Sequence, residues 1–262
     1  MSGQGVKETF VDTPSGKVRI WEKGRGKRIG FFAGIGGLPK WLPFLDRLAE
    51  THRVLVPALP GFPGGASSEP IDERLDWVLA AGDAFDAAGL DGADLIGASV
   101  GGALACEVAA MWPGAVRRLV LISPYGFFDE SNPVADVFAQ PPNGMARILS
   151  EKPDELAAHM AMPEGGDPGE WEVMQLRANV AAANIIWPLG DTRVAKRLGR
   201  IEAPALLLWG DKDRVIPGDY AEFFKKGIAG KAKVQKIKNA GHRAEFDQPA
   251  ACAKAVTAFL QG

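Results

Sequence analysis

Short apolar runs recur along the chain at Ile29–Ala33, Val54–Val56, Asp94–Gly97, Arg118–Ser123, Ala205–Trp209 and Lys233–Lys238. Most are followed by a segment of helical length and pattern: about Lys40–Thr51, Asp72–Ala88, Ser99–Trp112, Gly218–Lys226 and Pro249–Leu260. Apolar strands that alternate with helices need cover on both faces, so the chain reads as α/β, with a mostly parallel sheet between helical layers. Ahead of the first run, Glu8–Asp12 and Lys17–Glu22 alternate around Pro14-Ser15-Gly16 and read as an antiparallel hairpin.

The alternation breaks between 125 and 199. That stretch has no convincing strand, several Pro and Gly residues, and helical patterns near Met145–Ser150, Asp154–Met160 and Glu170–Ile186. The expected division is a core of residues 1–124 and 200–262 with 125–199 inserted as a helical cap over the C-terminal edge of the sheet. Open parallel sheets bind ligands at that edge. Met145, Met160, Met162 and Met174, four of the six methionines, fall in the insertion. They are read mainly as cap packing, with Met145 also a candidate pocket residue, because flexible thioethers suit an adaptable apolar surface.

With 262 residues, 47% of them hydrophobic, the chain can bury a sizeable core. A net charge of −2 gives no bulk attraction for nucleic acid or an anionic membrane, and Lys225-Lys226 reads as a solvated helix end. Two cysteines far apart, Cys106 and Cys252, make no disulfide framework and suit a reducing compartment. MSGQGVKETF at the start has no apolar signal core, and no run is long enough to span a bilayer. The expectation is a cytoplasmic protein with a small-molecule substrate, no nucleic-acid or membrane partner, no metal site and an open oligomeric state.

The chemistry concentrates around LIGASVGGAL, residues 95–104. Gly97-Ala98-Ser99-Val100-Gly101 is a G-x-S-x-G pattern between a strand and a helix, the context in which the pattern lifts a serine hydroxyl onto a sharp turn. The competing reading is a helix N-cap serine beside packing glycines. A serine nucleophile needs a base. Of the three histidines, His52 and His159 read as surface or packing residues, while His242 lies in AGHRAEFDQP between the last strand and the last helix. LLWGDKDRVIP supplies Asp211 and Asp213 after the preceding strand, and Asp213, deeper in the turn before Pro217, is preferred as the acid that fixes the imidazole.

On these residues the chain resembles the α/β-hydrolase family over nearly its whole length. GASVGG is similar to the family's nucleophile elbow, WGDKDRVIP to its acid loop, in which Asp213 takes the triad position, and AGHRAEFDQP to its histidine loop. VPALPGFPGG resembles the loop after the fourth strand, and RRLVLISP the strand before the cap. The resemblance implies an eight-stranded, mainly parallel sheet with a helical lid and no cofactor. It also implies an oxyanion hole from the backbone N–H groups of Ile35 and Val100, with Gly34, Gly36 and Gly37 allowing close approach. One position departs: family members often carry a His-Gly pair after the third strand, where this chain has Ala33-Gly34. The glycine cluster is not a dinucleotide fingerprint, since Pro39 takes the place of the third glycine.

The expected reaction is hydrolysis of an ester-like or otherwise activated carbonyl of a small apolar substrate, through an acyl-enzyme formed on Ser99. Runners-up are carbon–carbon bond hydrolysis and enol-lactone hydrolysis on the same fold. Against the first stand Ala98, where such enzymes often have asparagine before the serine, and Arg243, where they often have an aromatic after the histidine. A lyase, an acyltransferase and a catalytically silent binding protein are further alternatives. Pocket candidates are Gly34, Gly36, Met145, Trp187 and Arg243. Arg243 is favoured as a surface residue paired with Glu245 or Asp247, Trp187 is as readily a packing residue, and Cys106 is assigned to the core.

Overall fold

The structure, a computed structural model, describes residues 5–141 and 144–262; the first four residues of MSGQGVKETF lie outside that range. The hairpin is present as β1 (Lys7–Thr13) and β2 (Gly16–Lys23). There follow β3 (Arg28–Phe32), α1 (Pro43–Ala49), β4 (Arg53–Pro57), α2 (Arg74–Ala87), β5 (Ala93–Ala98), α3 (Ser99–Met111) and β6 (Val116–Ile122). Beyond β6 come α4 (Gly144–Leu149), α5 (Pro153–Met160) and α6 (Pro168–Ile186), then β7 (Ala205–Gly210), α7 (Tyr220–Gly227), β8 (Ala232–Ile237), α8 (Ala244–Asp247) and α9 (Pro249–Gln261). All eight strands form one sheet in the order β1-β2-β4-β3-β5-β6-β7-β8. Only the β1–β2 and β2–β4 pairs are antiparallel.

Past Asp94 at the start of β5 and Arg117-Arg118 at the start of β6, the central strands β5, β6 and β7 are apolar because each face meets its own helical layer. Leu95, Leu119, Leu121 and Leu207 face one core, with Trp77 and Phe85 of α2 and Val108 of α3. Ile96, Val120, Ile122 and Leu208 face the other, with Leu45 of α1 and Val256 of α9. Neighbours in sequence thus part to opposite faces, the period-two rule of a strand. Each such side chain contributes ~1.5–3 kcal/mol on burial. That makes the sheet the rigid part of the molecule, and the loops at its C-terminal edge are the part it can position.

Three local features differ from the sequence reading. α1 begins at Pro43, not near Lys40, since proline's fixed φ suits the first helical turn. α8 was not foreseen, nor were the 3₁₀ turns Val194–Lys196 and Leu198–Arg200. All three are too short to carry a helical period. Among the described residues, 125–199 holds no strand, and α6 contacts both α2 and α3. Among the described residues no helix is long and apolar enough to cross a membrane.

Candidate active site

Ser99 stands at the junction of β5 and α3 with φ 55°, in the left-handed region. A serine there costs on the order of 1–3 kcal/mol and persists only where its surroundings hold it. The surroundings are tight. A Cβ on Gly97 would come within 2.6 Å of Ala105 Cβ, and one on Gly101 within 2.4 Å of the carbonyl oxygens of Phe32 and Ala33. The glycines let α3 press against the ends of β3 and β5, and Ser99 is forced out of line. Its carbonyl also accepts the N–H of Tyr125, at 3.3 Å, from the segment after β6.

Three loops at the same sheet edge meet at this serine. Ser99 Oγ lies 2.8 Å from His242 Nε2, and His242 Nδ1 lies 3.1 Å from Asp213 Oδ2. An ionised Asp213 fixes the tautomer: Nδ1–H donates to the carboxylate, and Nε2 is left to accept the serine proton. The carboxylate is itself held, because its Oδ1 accepts the N–H groups of Val215 at 2.9 Å and Ile216 at 3.0 Å. Burial by itself would raise the Asp213 carboxyl. The electrostatic pull and the Nδ1–H of His242, with the two backbone N–H groups, outweigh it and hold the group below the usual carboxylate range. Asp211 is engaged elsewhere, accepting the N–H of Ala240 at 3.3 Å and so tying the acid loop to the histidine loop. Tyr125 packs edge-on to the His242 ring, with centroids 5.8 Å apart.

The two candidate oxyanion donors flank Ser99. Val100 is the second residue of α3, where helical N–H groups have no partner inside the helix. Among the described residues the Ile35 N–H has no hydrogen-bond partner. A Cβ on Gly34 would stand 3.1 Å from Ser99 Cβ, so the Ile35 turn passes directly beside the serine. Ala33, in the position often held by histidine, has its carbonyl oxygen close to Gly101 and keeps this turn against α3.

A cavity of about 440 Å³ opens beside these loops, lined among others by Ile35, Gly36, Met145, Met160, Met162 and Arg243. Its size suits a small ligand. Ser99 and His242 are each 1% exposed and do not line it. Its wall is made in part by Ile35, the residue after Gly34, and by Arg243, the residue after His242. Three of the four insertion methionines line the cavity, and Met174 lines a neighbouring surface groove.

Of the pocket candidates, Gly36, Met145 and Arg243 line the cavity, whereas Gly34 and Trp187 do not, and the surface placement favoured for Arg243 also needs correction. Trp187 is 70% exposed and lines no part of this cavity. It follows the end of α6, whose outer face also leaves Val173, Leu176 and Val180 in solvent, and this places the indole outside. Arg243 does pair with Glu245, Nε to Oε1 at 2.6 Å, but the pair is buried and not at the surface. The Arg243 N–H donates to Leu149 O at the end of α4, which ties the histidine loop to that helix.

Sequence reasoning missed the tie between the histidine loop and the 125–199 segment. Asp247 is buried and accepts the N–H of Gly241 at 2.7 Å, the N–H of Glu151 at 3.0 Å, and the hydroxyl of Ser150. Glu151 in turn pairs with Lys212 at 2.8 Å and Arg214 at 2.7 Å on either side of Asp213. The only available signal was the acidic pair in the AEFD turn. His159, read as a surface or packing residue, packs at a tilt beside Phe246, with ring centroids 5.5 Å apart. Burial and the charges of Arg243 and Lys40 push its pKa down to about 4, so it is neutral near pH 7. Cys106 and Cys252 are both buried, and burial pushes both thiols up.

Comparison with known proteins agrees with the fold. A model of the alpha/beta hydrolase family matches residues 31–255. The chain is 26% identical over 254 residues to a dihydrolipoyllysine-residue acetyltransferase component of an acetoin cleaving system from Cupriavidus necator. That match covers 91% of this chain and 65% of the longer relative. It is 28% identical to a 2-hydroxy-6-oxo-6-phenylhexa-2,4-dienoate hydrolase from Comamonas testosteroni, covering 87% and 85% of the two chains. In structure it resembles a serine hydrolase involved in carbazole degradation, with a TM-score of 0.79, 22% identity, and 98% and 99% of the chains covered. With most of its length matched by the family model, and its eight strands in this order, the chain belongs to the alpha/beta hydrolase family.

Proposed function

We propose that this hydrolase acts through a serine acyl-enzyme on an ester-like or otherwise activated carbonyl of a small, mainly apolar substrate. The observation that carries the reading is the Ser99–His242–Asp213 relay at 2.8 and 3.1 Å, with Ser99 held at positive φ. Ser99 Oγ attacks the carbonyl carbon as its proton passes to His242 Nε2, and Asp213 stabilises the imidazolium. The N–H groups of Ile35 and Val100 receive the oxyanion, each worth ~3–4 kcal/mol in the transition state. The imidazolium then protonates the leaving group. Water, deprotonated by His242, releases the acyl group and restores Ser99. Residues 125–199 serve as the cap that closes the apolar cavity, and the chain works in the cytoplasm without a cofactor.

Labelling by a fluorophosphonate, run beside a panel of p-nitrophenyl esters of increasing acyl length, tests this. The expected result is one label on Ser99, turnover of short esters, and loss of both in Ser99→Ala. Turnover retained in Ser99→Ala, or no label on the native protein, rejects the scheme.

A second reading is hydrolysis of a carbon–carbon bond in a ring-cleavage product, favoured by the relatives named as 2-hydroxy-6-oxo-dienoate hydrolases. Ala98 and Arg243 stand against it. Product analysis with such a dienoate beside an ester of similar size separates the two, since only carbon–carbon hydrolysis splits the chain of the dienoate.

A further inference from the structure

The guanidinium of Arg243 is an unusual thing to find in this cavity wall. Most of the wall is apolar, with Ile35, Met145, Leu149 and Met160 prominent, and its other polar side chains are the neutral amides of Gln175 and Asn179, so Arg243 is the one charged group that lines it among the described residues. A buried charge is costly unless its hydrogen-bonding groups are met. Among the described residues the Arg243 side chain makes one hydrogen bond, from Nε to Glu245 Oε1 at 2.6 Å. The two Nη groups have no protein partner among the described residues, although the residue is 1% exposed. Nearby, Glu245 Oε2 and His159 Nε2 are buried without partners among the described residues.

The arginine is built to stay where it is. Its N–H donates to Leu149 O at 2.8 Å, and its carbonyl accepts the N–H groups of Phe246 and Asp247, each at 2.9 Å. Glu245 occupies one edge of the fork and leaves the Nη edge for another acceptor. A planar guanidinium fixed along one edge is matched by a carboxylate, which takes two parallel N–H donors at once. Because Arg243 directly follows His242, such an acceptor would be bound close to the reacting carbonyl.

We infer that Arg243 anchors the substrate, and that the cavity takes carbonyl compounds bearing a carboxylate remote from the reacting carbon, docked on the Nη edge of a guanidinium that Glu245 holds in place. This rests on the serine-hydrolase reading above and narrows it from apolar substrates to apolar substrates with one acidic end.

The test is a ratio of kcat/KM values within each protein, so that a general loss of activity cancels. Mono-p-nitrophenyl glutarate is set against p-nitrophenyl pentanoate, and 4-carboxyphenyl acetate against phenyl acetate, to place the carboxylate on either side of the ester. The native protein should prefer the acidic member of one pair by about tenfold or more, chiefly through KM, as a hydrogen-bonded charge pair requires. Glu245→Gln removes the competing carboxylate and should raise that ratio. The double variant Arg243→Met/Glu245→Gln leaves no lone buried charge and should bring the ratio to about one or below. Ratios at or below one in the native protein overturn the inference. So does a ratio that survives in the double variant, or one that falls in Glu245→Gln as it does in the double variant, the mark of a purely structural ion pair. Calorimetric binding of monomethyl glutarate and methyl pentanoate to Ser99→Ala reads the same preference without turnover. Failure of the catalytic reading therefore appears as missing fluorophosphonate label, and failure of this inference as equal binding of the two esters.

Discussion

Replacing Asp247 should reveal how strongly the position of His242 depends on the segment above it. The carboxylate receives three donors, of which the Gly241 N–H and the Ser150 hydroxyl are fully buried and the Glu151 N–H partly so. Hydrogen bonds to a charged group contribute ~1.5–3 kcal/mol each, and a buried donor left alone costs ~1–3 kcal/mol. Ser150 retains a role as acceptor for the Lys152 N–H at 2.9 Å, so its loss is partial. For Asp247→Ala the expected loss is ~3–4 kcal/mol. For Asp247→Asn, which keeps one acceptor oxygen and turns an NH₂ toward a donor, it is ~2 kcal/mol, or a fall in Tm of ~4–8 °C for a chain of this size. Activity should fall further than stability implies. Gly241 precedes His242, and a displacement of ~1 Å at the base costs about 10²-fold. Urea unfolding and kcat/KM on a p-nitrophenyl ester, measured on the Asn variant at a temperature where it is folded, read the two effects separately. If Asp247→Asn melts within ~1 °C of the parent and keeps kcat/KM within about twofold, the latch has no bearing on the histidine.

Asp213→Asn should lower kcat on the order of 10⁴-fold, since its NH₂ would donate to Nδ1 and leave Nε2 protonated and unable to accept from Ser99; steady-state rates near neutral pH decide it. Because the Asp213 pKa is depressed, the carboxylate favours the folded state above the ordinary carboxylate pKa, and that share disappears as pH falls through its lowered value, which acid unfolding of the same variant would lack. Gly34→Ala places a Cβ 3.1 Å from Ser99 Cβ, so a shift of a few tenths of an ångström at the oxyanion turn should cost about tenfold in kcat/KM with under ~1 kcal/mol of stability. His159, lowered to about 4, binds its proton more readily unfolded than folded. Stability should therefore fall as pH drops from ~6.5 to 4, by ~1 kcal/mol after discounting for its partial exposure, and His159→Phe should flatten the urea midpoint over that window.

What could be read ahead of the structure, and what could not, divides along one physical line. Where the chain's own local chemistry decides the outcome, the reading reaches the residue. Central strands must be apolar on both faces where helices cover them, so the later halves of β5 and β6 and the whole of β7 are visible as apolar runs. The glycines about Ser99 are visible because only close backbone contact calls for them. Asp213 could be preferred to Asp211 from its place deeper in the turn before Pro217; the structure adds that the Val215 and Ile216 N–H groups hold one of its carboxylate oxygens while the other faces the imidazole. Where an irregular segment of the insertion settles on a distant loop, with no strand end to place it, the reading fails. A charged residue is ordinarily exposed and an indole ordinarily buried. Arg243 and Trp187 invert both rules, one buried where the histidine loop joins the end of α4, the other exposed after the end of α6. Asp247 is silent in the sequence for the same reason, its partners Ser150 and Glu151 lying 97 and 96 residues earlier. The relay at Ser99 rests on the sheet, whose rules are periodic. The cavity is shaped by how residues 125–199 settle on the histidine loop, and no period records that. Substrate choice in such a chain is therefore a property of the docking between segments, and substitutions along α4, α5 and α8 should alter which ester is taken well before they alter whether one is cleaved.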